Sequence, residues 1–549
     1  MKSIFKLLAI LLLVLGCKQE PEVVKPKAPF VWENANLYFL LTDRFNNGDA
    51  TNDVNFARTA ETGKLRGFEG GDIKGITQKV KEGYFTDLGI NAIWMTPIVE
   101  QIHGGTDEGT GLSYGFHGYW ASDWTAIDPN YGTKEDLKEL VEVAHGKGIR
   151  ILLDAVINHT GPVTEKDPVW PESWVRTAPK CKYDNYERTI KCTLVENLPD
   201  IRTDSDKAVE LPPQLVAKWK AEGRYEQEVK ELDEFFKRTG YPRAPRFYIM
   251  KWLTDYITEF GVDGYRVDTV KHTEEYVWQE FKKECDYAFE QYKKNNTDKV
   301  LDDNNFYLVG EVYNYGIGSG QYFDFGDKSV NYFDNAFHSL INFQFKWDAQ
   351  QKSAEDVFAN YSDILRYDLA GFGTLNYLSS HDDGQPFDPK REKAQLAGTL
   401  LLLAPGASQT YYGDESARSL VIEGTVGDAT LRSFMNWDAI ASDVNTQETL
   451  KHWQKLGKFR ESHPSVGAGI HSWISDAPYS FSRSYTKGEY SDAVVVGLDQ
   501  PKGEKTIVVS NVFKDGDTIH DAYSGVEVEV KDGKVVVTSD FAIVLLEKK

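Results

Sequence analysis

Four carboxylates stand where apolar runs of the chain end: Asp154, Asp268, Glu311 and Asp382. In Gly264-Tyr265-Arg266-Val267-Asp268 the arginine lies two residues before the acid, so on a strand both side chains point the same way. A guanidinium in that position orients a carboxylate as a nucleophile requires. Glu311 follows Gly310 at the end of another apolar run, and Ser379-Ser380-His381-Asp382 sets a histidine beside a further acid. Hydrolysis of a glycoside with retention needs two such groups about 5–5.5 Å apart. One attacks the anomeric carbon and the other protonates the leaving oxygen. The same residue types also serve a metal-dependent lyase or aldolase, and any one acid taken singly suits an ion pair at the rim of a barrel.

These acids need a scaffold that brings strand ends together. Residues 37–42, 91–96, 149–154, 262–268, 306–311, 373–379 and 401–411 read as strands, and 73–88, 133–145, 246–260 and 274–292 as helices. The run at 149–154 is apolar throughout until its final acid, as expected of a parallel strand buried on both faces. Repeated strand–helix units fit an eight-fold β/α (TIM) barrel or a doubly wound sheet. The barrel is preferred because it gathers the carboxyl ends of all its strands, and hence the four acids, around one mouth. Between residues 158 and 245 the alternation fails over a Pro-rich, charged, Trp-bearing stretch too long for a loop, which implies an inserted subdomain after the third strand. After Pro464, short β-prone runs at 492–497, 506–512, 534–538 and 541–546 imply an antiparallel β-sandwich. The expected division is a barrel over 31–463, an insertion over about 159–245, and a β domain over 464–549.

Composition narrows the partners. The 549 residues carry a formal charge of −22, which excludes phosphate-driven binding of nucleic acid. The 13 Trp and 29 Tyr supply core, and flat rings are also surfaces on which sugars pack. At the N-terminus, Lys2 and Lys6 precede an apolar run over 7–15 and then Gly16-Cys17. The run is too short to span a bilayer and reads as a signal peptide over 1–17. A small residue before Cys17 resembles the lipobox of bacterial lipoproteins, in which the cysteine is lipidated; an ordinary secretory signal is the alternative. Residues 18–30, polar and Pro-bearing, then form a tether. Cys181 and Cys192 flank a short polar stretch that a disulfide can close in an oxidising compartment, and Cys285 is expected as a buried free thiol.

Taken together, the motifs resemble the α-amylase family, glycoside hydrolase family 13, whose short regions occur here in order. Asp154-Ala155-Val156-Ile157-Asn158-His159, the stretch from Gly261 to His272, Gly310-Glu311-Val312-Tyr313 and Ser379-Ser380-His381-Asp382 are similar to its four main regions. Leu198-Pro199-Asp200-Ile201 is similar to the extra region of the inserted domain, and 89–97 and 406–415 to two flanking ones. Ser408 stands where proline is usual. The resemblance implies Asp268 as nucleophile, Glu311 as general acid and base, and Asp382 as stabiliser of the transition state. It further implies that Arg266 orients the nucleophile, and that His117, Tyr119, His159, His381 and Lys271 contact substrate.

Calcium is the implied cofactor, an ion that takes oxygen ligands. One site would use Asn158, Asp200 and the His272 carbonyl. A second, resembling the N-terminal calcium loop of cyclodextrin glucanotransferases, would use Asn47, Asp49, Asn52, Asp53, Gly70 and Asp72; a solvated Asn/Asp turn is the alternative there. Lys271-His272 and Leu198-Pro199-Asp200 resemble α-amylases more than neopullulanases, and residues 115–129 resemble periplasmic α-amylases of Gram-negative bacteria. The expectation is an endo-acting α-amylase on starch or maltodextrin, held to the outer membrane of a Gram-negative bacterium by lipid. A neopullulanase- or cyclomaltodextrinase-type hydrolase or transglycosylase is the alternative, with a non-catalytic glycan-binding protein more remote.

Overall fold

A computed structural model describes residues 28–548; the expected signal peptide and most of the tether, Cys17 included, lie outside the described residues. Eight strands form a closed, all-parallel barrel: β1 (Asn36–Leu40), β2 (Ala92–Met95), β3 (Arg150–Ala155), β4 (Gly264–Val267), β5 (Tyr307–Gly310), β6 (Ser339–Asn342), β7 (Gly373–Tyr377) and β8 (Ala407–Tyr411). Each pairs with its successor, and β8 closes on β1. All six residues of β3 are buried, as its unbroken apolar pattern requires.

Helices α1 (Ile73–Glu82), α2 (Lys134–His145), α3 (Pro245–Phe260), α4 (Glu275–Asn295), α5 (Phe345–Gln351), α6 (Ala354–Tyr367), α7 (Ala394–Leu402) and α8 (Val444–Ser462) accompany the strands. Their ends follow local chemistry. Thr133 and Asp136 form a reciprocal capping box at the start of α2. Pro245 opens α3 and Gly261, at φ 73°, closes it.

Two sequence expectations are corrected. The helix read over 73–88 breaks at Gly83, whose φ of 91° ends α1 before a short second turn. The strand read over 401–411 is two elements: Leu401 and Leu402 belong to α7, and the strand starts only at Ala407, beyond Pro405-Gly406. An apolar run is equally at home in a buried helix and a buried strand, so hydrophobicity alone could not divide it.

Between β3 and α3 the chain leaves the barrel. The excursion contains a two-residue ladder, Val175–Arg176 against Asp200–Ile201, the helices Pro213–Ala221 and Tyr225–Thr239, and a Cys181–Cys192 disulfide. Trp170, Trp174 and Trp219 from this excursion pack against Trp124 and Trp252, fastening it to α3 and to the strand before α2. Cys285 is a buried free thiol.

The C-terminal part carries β9 (Ile470–Asp476), β10 (Tyr479–Lys487), β11 (Tyr490–Gly497), β12 (Gly503–Val508), β13 (Thr518–Asp521), β14 (Glu527–Glu529), β15 (Lys534–Ser539) and β16 (Val544–Lys548). One antiparallel sheet has the order β9-β10-β11-β16-β13-β14, and β12 pairs with β15 in a second. Val495, Ile519 and Leu546 from the first meet Ile507, Val535 and Val537 from the second in a shared core. Among the described residues no helix is long and apolar enough to cross a membrane.

Candidate active site

The barrel's register brings the acids to one guanidinium. Arg266 lies opposite Asp154 across β3 and β4, and Asp268 and Glu311 directly follow β4 and β5. Nη1 of Arg266 donates to Asp268 Oδ1 at 2.7 Å and to Asp154 at 3.1 and 3.2 Å, while Nη2 lies 3.1 Å from Glu311 Oε2. The arginine side chain is 2% exposed. Glu311 Oε2 also accepts the backbone N–H of Thr269 at 2.9 Å. Thr269 adopts φ 48°, a left-handed conformation costly for a threonine, directly after the acid that Arg266 orients.

Burial dominates the protonation of these groups. It raises Glu311 to about 8, with the negative charges of Asp268 and Asp382 adding to the rise and Arg266 opposing it. Burial likewise lifts Asp154 well above the usual carboxylate range. Glu311 therefore carries its proton at neutral pH and can give it to a leaving oxygen.

A cleft of about 910 Å³ opens above these acids, lined by His117, Tyr119, His159, Asp268, His381 and Asp382 among others. The Tyr119 hydroxyl donates to Asp154 Oδ2 at 2.8 Å, as Trp94 Nε1 does at 3.1 Å. The Tyr119 ring lies 5.2 Å from that of His381 at 17°, a stacked pair. His117 and His381 are pushed well below the ordinary histidine range by burial first, then by the Arg432 charge, and burial lowers His159 too. All three are thus neutral, suited to exchanging hydrogen bonds with sugar hydroxyls. Asp382 is the acid that Arg266 does not hold: its side chain is 38% exposed and faces Ser380 Oγ at 3.4 Å. Lys271 does not line this cleft. Its Nζ donates to the Tyr313 carbonyl at 3.2 Å, among the rings of Tyr183, Tyr313 and Phe323.

Residues 39–455 match the family described as alpha amylase, catalytic domain. The chain belongs to the α-amylase family. The periplasmic α-amylase of Escherichia coli is 35% identical over 500 residues, covering 80% of this chain and 69% of that protein. A cyclomaltodextrin glucanotransferase of Geobacillus stearothermophilus is 27% identical, covering 84% of this chain and 59% of its own length. An Anoxybacillus α-amylase structure superposes with a TM-score of 0.64 at 24% identity, covering 95% of this chain and 99% of that one.

Among the described residues no three His, Cys, Asp or Glu side chains converge as a metal centre, so a cation must rely on amide and carbonyl oxygens as well. One such set exists: the Asn158 amide is 2.8 Å from Asp200 Oδ1 and 3.1 Å from the His272 carbonyl. Burial raises Asp200 well above its usual range, and its Oδ2 is buried against Arg176. Turning the Asn158 amide would present three oxygens to one point, the hard-donor set calcium takes. In the second set, Asn47 donates to Asp53 at 2.9 Å and Asn52 to Asp72 at 3.4 Å, while Asn52 Oδ1 is buried without a partner. Gly70 sits against this group at φ 89°; a Cβ there would lie 2.5 Å from Asn47 Nδ2. Asp49 instead turns to Lys74 at 2.6 Å. Both sets fit a hard cation.

Sequence reasoning did not find Arg66, Asp428 and Arg432. They line the same cleft and are joined by ion pairs of 3.1 and 2.6 Å through Asp428. Arg66 comes from a loop and Asp428 and Arg432 from the short 3-10 helix Gly427–Arg432, none within a periodic pattern, so only tertiary proximity reveals them.

Proposed function

We propose that this hydrolase cleaves α-1,4-glucosidic bonds within starch and maltodextrin chains with retention of configuration. The observation that carries the reading is the bridging of Asp268 and Glu311 by one buried guanidinium, with Glu311 raised into its protonated form. Asp268 attacks C1 of the glucosyl unit while the Glu311 proton passes to the glycosidic oxygen, and the C1–O bond breaks to leave a glucosyl ester. Glu311, now anionic, takes a proton from water, whose oxygen attacks C1 and releases Asp268. Asp382, His117, His159 and His381 hold the hydroxyls of that sugar, and Tyr119 stacks on its ring. Asn158, Asp200 and the His272 carbonyl would hold calcium, which would tie the inserted excursion to the barrel mouth; Asn47, Asn52, Asp53, Gly70 and Asp72 would hold the second ion, joined by Asp49 only if it leaves Lys74.

The Escherichia coli relative is named as periplasmic, and the Cys181–Cys192 disulfide suits an oxidising compartment. We therefore place this enzyme outside the cytoplasm, anchored to the outer membrane through a lipid on Cys17; loss of membrane association in Cys17→Ser checks the anchor.

A time course of reducing ends and product sizes on soluble starch, with and without a calcium chelator, tests the activity. A rapid fall in polymer size with mixed maltooligosaccharides is expected. Intact starch with cleavage of cyclodextrins, pullulan or short maltodextrins would replace this reading by the neopullulanase or cyclomaltodextrinase type. Binding without any cleavage would leave a glycan-binding protein.

A further inference from the structure

The chain enters the folded body at the pole of the barrel opposite its catalytic mouth. Asp268 and Glu311 follow the carboxyl ends of β4 and β5, whereas the first described residues lie against the amino ends of the strands. The guanidinium of Arg150, the first residue of β3, lies 3.4 Å over the Phe30 ring. Trp32 stacks on Tyr307, the first residue of β5, at 3.9 Å and 10°. Tyr307 stacks in turn on His338, just before β6, at 5.7 Å. Phe30 stands edge-on to Trp32 at 4.9 Å, which joins the two contacts into one strap. Asn34 then donates to the Arg460 carbonyl at 2.8 Å and accepts the Gly467 N–H at 2.7 Å, so the strap is also fastened to the start of the C-terminal β domain. The point at which the chain leaves the body is therefore fixed at the amino pole.

The length of chain before that point limits where a lipid on Cys17 can reach. Cys17 and Ala28 are eleven residues apart. A chain of that length spans about 20 Å as a coil and at most about 40 Å fully extended. A fold of this size has a radius of gyration of about 24 Å and is roughly 60 Å across. To lay the mouth on a bilayer, the chain would have to run from the amino pole along the flank to the opposite end. That path is about the molecular diameter and exceeds even the extended reach.

We propose that the amino pole of the barrel, around Arg150 and Tyr307, is the face turned to the lipid surface, and that the catalytic mouth never faces the bilayer. The inference rests on the reading of Cys17 as the lipid anchor. It makes glucan free in the surrounding solution the accessible substrate, because a long polymer enters the mouth without passing between enzyme and lipid. Glycans carried by the same bilayer lie at the wrong end of the barrel.

The test is energy transfer from single dye labels to acceptor-labelled lipid, with the full lipidated chain inserted from outside into phosphatidylethanolamine–phosphatidylglycerol vesicles. Lys147→Cys places the dye at the amino pole, in the exposed turn before β3. Glu423→Cys places it at the mouth, on the exposed segment after β8 that leads to Gly427 in the catalytic cleft. Among the described residues the native cysteines are a disulfide and a buried thiol, so the introduced thiol takes the dye. Transfer at Lys147→Cys should exceed that at Glu423→Cys at least about twofold, and insertion of about thirty Gly/Ser residues after Lys27 should shrink the contrast by giving the tether enough reach for either pole. Equal transfer from the two positions, or more from the mouth, overturns the proposal, and a contrast unaltered by the longer tether overturns tether reach as its cause. Wild-type protein that stays off the vesicles as Cys17→Ser does overturns the anchor reading instead, and the orientation falls with it.

Discussion

Replacing Arg266 by methionine is the most direct challenge to the proposed mechanism. The methionine fills the volume and removes the charge that meets Asp154, Asp268 and Glu311, whose side chains are 0, 8 and 8% exposed. Removing one partner of a buried ion pair costs about 3–5 kcal/mol. If that loss falls on the transition state, it is a drop of about 10²- to 10⁴-fold in kcat/KM. Part of the penalty is avoided by proton retention. Asp154 and Glu311 are already raised by burial and held down only in part by Arg266, so both rise further in the variant. An acid whose folded-state pKa is raised stabilises the fold fully below its unfolded value and loses that contribution as pH climbs through the folded value. The melting temperature of Arg266→Met should therefore fall slightly at pH 5 and progressively more towards pH 9. The assay is kcat/KM on maltoheptaose from pH 5 to 9 beside calorimetric melting at the same values. Activity within tenfold of wild type, or a melting deficit independent of pH, would refute the view that one cation organises the three acids. Arg266→Lys retains the charge without the planar fork and should fall between the two.

Two other perturbations probe neighbouring parts of the argument. Glu311→Gln should reduce hydrolysis by at least about 10²-fold, the scale of general acid catalysis. Because the wild-type carboxyl is raised to about 8, the variant should melt higher than wild type at pH 8–9 and no higher at pH 5; equal melting curves at both pH values would show that Glu311 is not strained by burial. For the cation sites, a chelator should lower the wild-type melting temperature and added calcium restore it, with Asp200→Asn and Asp72→Asn each removing about one bound ion by elemental analysis. A melting temperature indifferent to chelator and calcium alike would rule both sites out.

Much of the scaffold was legible because its determinants are local. The unbroken apolar run that ends at Asp154 forms the fully buried strand β3 its pattern predicts, and Thr133 with Asp136 caps α2 by adjacency alone. Four-residue β6, Ser-Leu-Ile-Asn, escaped notice because it is too short and too polar at its ends to carry a period. The apolar stretch across α7 and β8 was misread because either element buries it equally well.

The sequence by itself determined that Arg266, on β4, and Asp268, directly after it, face the same side, since two residues of extended chain impose it. Family motifs likewise singled out Glu311, Asp382 and the histidines. Only the tertiary structure decided that Glu311 reaches the same guanidinium, that burial keeps it protonated, and that Asp382 stands apart in the open cleft. The Arg66–Asp428–Arg432 group belongs to the same class. The reason is physical: spacing along a strand is fixed by covalent geometry, whereas a carboxyl's proton affinity and a ring's exposure depend on which distant segments exclude water from it.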